Sequence, residues 1–134
     1  MASRPSATAG TVLAALLLVV AGVWQVLTGF AAVVRGGYFT APADYPFAFS
    51  VAAWGWVHLI VGAFAVVVGV GLFTGAVVWR VLGIALACCS LVSSFLWIPF
   101  EPWWSVLVIA LDVLVVWSLL NAGDRSIRDR LADR

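Results

Sequence analysis

An all-α fold, a bundle of four transmembrane helices, is what three features of this sequence predict. Of its 134 residues, 65% are hydrophobic and only 10% are charged, with no lysine at all, a balance that no soluble domain of this size tolerates. Mean hydropathy is +1.16, so the bilayer is the expected solvent. The charges fall between the apolar runs. None lies between Arg4 and Arg35 or between Arg80 and Glu101; only His58 interrupts the run from Asp44 to Arg80, and only Asp112 the run from Glu101 to Asp124. Crossing about 30 Å of hydrocarbon takes roughly 20 apolar residues at 1.5 Å rise. Four spans meet that length: 11–34, 51–73, 78–98 and 103–121.

Orientation follows from arginine. Four spans put both chain ends on one side, and that side then holds Arg4, Arg80, Arg125, Arg128, Arg130 and Arg134 against Arg35 alone. A multi-pass plasma-membrane protein with both termini cytoplasmic is the expectation. The opposite side carries Asp44, Glu101 and the aromatic residues Tyr38, Tyr45, Trp54, Trp56, Trp97, Trp103 and Trp104, whose rings suit the headgroup level.

Residues 1–10 read as a disordered cytoplasmic tail of small and polar residues. The first span is too long for a signal-peptide core and lacks a clear cleavage site, so it is expected to stay in the mature protein. Within it, Ala15, Gly22, Gly29 and Gly36 recur every seven residues, and the second span repeats the device with Gly55, Gly62 and Gly69. Small residues on one stripe let helix backbones approach closely in lipid, where association depends on packing. The two spans are expected to meet along these glycines.

A weak internal echo accompanies the stripe: Gly22-x-x-Gln25-x-x-x-Gly29 has the spacing of Gly55-x-x-His58-x-x-x-Gly62. Counted from opposite ends of antiparallel spans, Gln25 at roughly 21 Å from the inner end and His58 at roughly 10 Å from the outer end reach a similar depth. A hydrogen bond between them is geometrically possible. The connection 35–50 contains Gly36-Gly37, Pro42 and Pro46 among aromatic residues and reads as a cap or lid. Thr74-Gly75 marks a short turn leading to Trp79-Arg80, an interfacial aromatic with an arginine that can snorkel to the headgroups.

The third span contains Cys88-Cys89, Ser90, Ser93 and Ser94. Neighbouring side chains on a helix diverge by about 100°, so the two cysteines read as small packing residues. Pro102 suits the first turn of the fourth helix, and Glu101 suits its positive end. Asp112 lies near the middle of that span, where an ionised carboxylate costs at least about 2.5 to 3.5 kcal/mol on insertion scales. No arginine reaches that depth. Asp112 is therefore protonated, paired with a protonated His58, or bonded to neutral donors such as Gln25, Ser93 and Ser94. These five side chains are the candidate buried polar site, either functional or structural glue. Asn121 and Gly123 read as a helix stop, followed by a charged cytoplasmic tail, 122–134, that reads as a separate solvated helix, with Ile127 and Leu131 at helical spacing and Arg125 and Asp129 as an i,i+4 pair.

The segments Trp54-Gly55-Trp56-Val57-His58-Leu59, Trp79-Arg80-Val81-Leu82-Gly83-Ile84 and Pro102-Trp103-Trp104-Ser105, with Ile109-Ala110-Leu111-Asp112-Val113-Leu114-Val115, carry a resemblance. Over about residues 10–121 the chain resembles a family of small four-helix membrane proteins of unknown function, found mainly in actinobacteria. The resemblance implies a compact four-span domain in the plasma membrane and supplies no activity.

Three function classes follow from the residues. Glycine stripes and aromatic rims are abundant and catalytic constellations missing, which favours a non-catalytic accessory subunit that packs against a larger complex or another copy of itself. A small proton-linked transporter could use Asp112 and His58 as a titrating pair. A lipophilic-cofactor module could place His58 and the tryptophans around a quinone-sized pocket. No metal spacing, nucleic-acid signature or phosphate loop appears, and no cofactor is called for. The lipid bilayer is the expected partner, with a homo-oligomer or a larger membrane complex beside it.

Overall fold

A computed structural model describes residues 9–35, 51–99 and 101–133, which form four helices: α1 (Ala9–Arg35), α2 (Val51–Leu72), α3 (Val77–Trp97) and α4 (Pro102–Ala132). All four are long and apolar enough to cross a membrane, and the described residues contain no strand. The expected cap over 36–50, including Gly36, and most of the expected disordered tail lie outside the described residues. Ala9 and Gly10, assigned to that tail, instead open α1.

Each helix runs antiparallel to the next. The start of α1, the α2–α3 turn and the exit of α4 share one end, here the proximal end; the close of α1, the start of α2 and the α3–α4 connection share the distal end. Leu72 ends α2 because Gly75 adopts a positive φ of 73°, open to glycine without a Cβ penalty. Its N–H bonds the Leu72 carbonyl at 3.1 Å, and Thr74 Oγ1 donates to the Gly71 carbonyl at 2.7 Å. The indole of Trp79 folds back over Gly71, where a Cβ would fall inside the ring system.

α1 and α2 form the most intimate pair, and their contact runs along the glycines. A Cβ on Gly22 would lie 2.7 Å from the Gly62 carbonyl oxygen, and one on Gly62 would lie 2.7 Å from that of Gly22. Gly29 and Gly55 repeat the arrangement at 2.6 and 2.8 Å, and Gly69 sits against Ala15 at 3.0 Å. Backbone touches backbone at each position, which only glycine permits. α3 and α4 meet differently, through side chains: Leu119 fills the space over Gly83, and Arg80 reaches Gly123.

The main buried cluster lies in the proximal half, while Ala32, 5% exposed, is buried separately near the distal end of α1. Ala14, Ala15, Leu18, Val68, Leu72, Ala87, Val115 and Leu119 form one cluster, with Val68 and Leu119 at 0% exposure. All four helices contribute, so this cluster ties the two hairpins together. At the distal end α1 and α4 are bridged by Trp24 and Trp104, whose ring centroids are 6.0 Å apart.

One expected boundary differs. α4 does not stop at Asn121-Ala122-Gly123 but continues to Ala132, a length of roughly 46 Å at 1.5 Å per residue. Gly123 keeps an ordinary helical φ, and Asn121 Nδ2 donates to the Trp117 carbonyl at 3.0 Å, a bond within the helix. The charged segment is therefore an extension of the fourth span. Among the described residues no ion pair joins Arg125 to Asp129, in keeping with the small gain from exposed pairs.

Candidate functional site

The five side chains singled out as a polar site occupy two different couples. Gln25 and His58 belong to the glycine crossing. The Cβ of Gln25 lies 2.9 Å from the position a Cβ would take on Gly62, and the Cβ of His58 lies 3.0 Å from the corresponding position on Gly29. The contacts are reciprocal under exchange of the two helices, so the Gly-x-x-polar-x-x-x-Gly echo corresponds to a local two-fold relation across the crossing. Each polar side chain leaves its own helix over the other's glycine.

That geometry separates the pair. Gly29, beside His58, is one turn beyond Gln25, about 6 Å of helix rise. His58 also turns the other way: its Nδ1 donates to the Trp54 carbonyl at 3.2 Å, and its ring packs on the Trp54 indole at a centroid distance of 4.6 Å. The bond requires the proton on Nδ1 and leaves Nε2 as an acceptor when the ring is neutral. Among the described residues, no hydrogen bond joins Gln25 to His58.

Asp112 belongs to the other couple. It lies on the stripe of α4 that faces the bundle interior, one heptad from Leu119, 0% exposed, and one heptad from Ser105, 1% exposed. Asp112 itself is half-buried. Its neighbour is Ser90 on α3, whose hydroxyl faces the carboxyl. Oδ2 of Asp112 is sealed from solvent and has no hydrogen-bond partner. Among the described residues no ion pair or hydrogen bond joins Asp112 to His58, so the two do not form a couple here.

The serines sort by helix face. On α3, Arg80, Gly83, Ala87, Ser90 and Ser94 follow one inward stripe, whereas Cys88, Cys89 and Ser93 are exposed on the outside. Cys88 and Cys89 are free thiols. Ser94 is half-buried inside the bundle and Ser93 is not. Ser90, named in the third span but left out of the candidate site, and the buried Thr11, Ser105 and Ser118 are interior polar residues that the candidate site did not include. Ser90 shares a face with Ser94 at i,i+4 spacing, and Ser105 precedes Asp112 by seven residues; these spacings were the available signals. Arg80, expected to anchor the span at the headgroups, is half-buried on the interior stripe at the proximal end, with Nε sealed and unpartnered. Its position at the fourth residue of α3 directs the stem across to Gly123.

Chemically, the distal half offers one carboxyl, one imidazole, an amide and several hydroxyls held at the edges of two helix pairs. No group of three or more His, Cys, Asp or Glu side chains able to hold a metal ion occurs among the described residues. Neither a curated protein nor a solved structure matches the chain. Residues 10–124, which take in all four membrane-length helices up to the charged extension of α4, match the family model described as a domain of unknown function (DUF7144), and the chain belongs to that family.

Proposed function

We propose that the protein is a non-catalytic plasma-membrane protein that works by lateral association, with itself or as an accessory subunit of a membrane complex, through the outward face of α3. What supports this reading is the composition of that face. Val81, Ala85, Cys89 and Ser93 follow one another at four-residue spacing, all exposed, and three of the four are small. Small residues at this spacing are the device that already joins α1 to α2. On α3 they face away from the chain's own core, and only 11% of its most apolar window is buried. A surface that served lipid alone would be favoured by larger side chains.

The two native cysteines provide the test. Oxidative cross-linking in native membranes should give a disulfide-linked homodimer from the wild type and from Cys88→Ser, and much less from Cys89→Ser, because residues 88 and 89 diverge by about 100° on the helix. A cross-link to a different polypeptide through Cys89 would select the accessory-subunit form. Absence of any Cys89-dependent product, or equal yields from the two single variants, would reject the α3 interface.

The same reading places the proximal end in the cytoplasm. Arg80, Arg125, Arg128 and Arg130 gather there against Arg35 at the distal end, the bias that orients multi-span proteins. A C-terminal fluorescent fusion should therefore glow. An active periplasmic reporter at that position would invert the topology.

A further inference from the structure

Among the described residues, the carboxyl of Asp112 has no counter-charge. α4 itself carries Glu101 at its distal end and Asp124 beyond its proximal end, both exposed. From α3, the facing group is the Ser90 hydroxyl; Arg80 lies ten residues closer to the proximal end, and the Cys88 and Cys89 thiols face outward. α1 contributes no ionisable side chain between Ala9 and Val34; it offers the amide of Gln25 and the hydroxyls of Thr11 and Thr28, the last bonded to the Trp24 carbonyl. α2 contributes His58, bonded to the Trp54 carbonyl. A lone carboxylate in hydrocarbon is costly, no charge among the described residues offsets it, and a proton is the smallest species that can.

Access to this group is asymmetric. Toward the proximal end, the next interior positions on α4 are Val115, Ser118 and Leu119, 4%, 2% and 0% exposed; Val115 and Leu119 pack with Leu18, Val68, Leu72 and Ala87, and Ser118, whose Oγ also lacks a partner, is closed off beside Gly10 of α1. Toward the distal end the interior on the Asp112 side carries hydroxyls, and several positions are only half-buried. Ser90 and Ser94 are half-buried, as are Val108 and Ile109, and Ser105, buried at 1%, holds an Oγ with no partner. Unpartnered buried hydroxyls are the groups that ordered water satisfies.

We infer that Asp112 is a proton-binding site that fills and empties through the distal end alone, along the Ser105, Ser94 and Ser90 hydroxyls, and is closed to the proximal side by the apolar core. Hydronium gives its proton to a carboxylate oxygen and leaves as water; release reverses the step. The site is a dead end, so it senses distal pH and carries no net proton flux. This inference stands apart from the α3 association face, and neither depends on the other.

A hydrophobic carbodiimide tests it, because that reagent reaches carboxyls in lipid and reacts with them when protonated. The protein carrying Cys88→Ser and Cys89→Ser is reconstituted into vesicles, its orientation scored by protease cleavage of the α4 extension, and adducts assigned by mass spectrometry of the peptide around residue 112. Labelling of Asp112 should fall at least tenfold as the distal bath is taken from acid to alkaline and should not follow the proximal bath. Ser105→Leu, which leaves Asp112 in place, should slow the response to distal pH severalfold, and Asp112→Asn should remove the adduct. Labelling that tracks the proximal bath, that follows both baths equally, or that is absent at every pH would overturn the inference. So would an unchanged response in a folded Ser105→Leu protein.

Discussion

The two helix pairs of this bundle are joined by opposite means. In α1–α2 the backbones themselves touch, with built Cβ atoms at Gly22, Gly29, Gly55 and Gly62 falling within 2.6 to 2.8 Å of a facing carbonyl oxygen. In α3–α4 side chains mediate the contact, Leu119 over Gly83, Arg80 against Gly123 and Ser90 against Asp112. A backbone-to-backbone seam leaves no room for variation. A side-chain seam can hold a carboxyl, because its neighbours can be chosen to face it. The difference teaches where this protein keeps its shape and where it keeps its chemistry.

Substitutions that pry at each seam should separate the two in size. Gly62→Leu should have the largest effect, about 3 kcal/mol or more of destabilisation, because overpacking against backbone cannot be relieved by a rotamer change. Denaturation in detergent, or failure to recover folded protein, is the readout; wild-type behaviour would mean that the glycine crossing is not required.

Leu119→Ala should come next, at about 2 to 4 kcal/mol, by opening a cavity where all four helices meet. Its unfolding should be followed by tryptophan fluorescence, since Trp79 packs against this cluster. A loss well under 1 kcal/mol would show that the proximal core does not bind the two hairpins together.

At the α3–α4 seam the sign should reverse. Asp112→Leu should stabilise the protein by about 1 to 3 kcal/mol, the cost of a buried polar atom left unpaired, since it removes a carboxyl whose Oδ2 has no partner. Lower stability in the same denaturation assay would mean that Asp112 is structural glue. The smallest effect should come from Gly123→Ala, where the added Cβ meets only Arg80 Nη1 at 3.5 Å. A gain of up to about 1 kcal/mol is expected from helix propensity alone, in contrast to Gly62. Destabilisation comparable to Gly62→Leu would erase the distinction between the seams.

Much of the architecture was legible before any coordinates. Charges can sit only where water or headgroups reach, so the gaps between charges outlined four spans, and three helices begin and end within two residues of the expected limits. The exit of α4 was not legible, because Asn121 and Gly123 serve equally inside a helix when Asn121 bonds back to Trp117. The five side chains expected to share one polar site do not do so: Ser93 faces outward, and the rest divide between the two helix pairs. Depth along a helix follows from counting residues, which put Gln25 and His58 near one level, but the direction of a side chain depends on what stands beside it. His58 turned to Trp54, and Asp112 met Ser90.

By itself, the sequence determined the bilayer as solvent, the number of spans and the small-residue stripes, because each depends on which residues follow one another along a single helix. Tertiary structure alone decided that the glycines approach to backbone contact, that the main apolar cluster forms in the proximal half, and that Asp112 and His58 lie in separate couples. Those outcomes depend on helix crossing and rotation. Both are set by the fit of surfaces far apart in the chain, which no local pattern specifies.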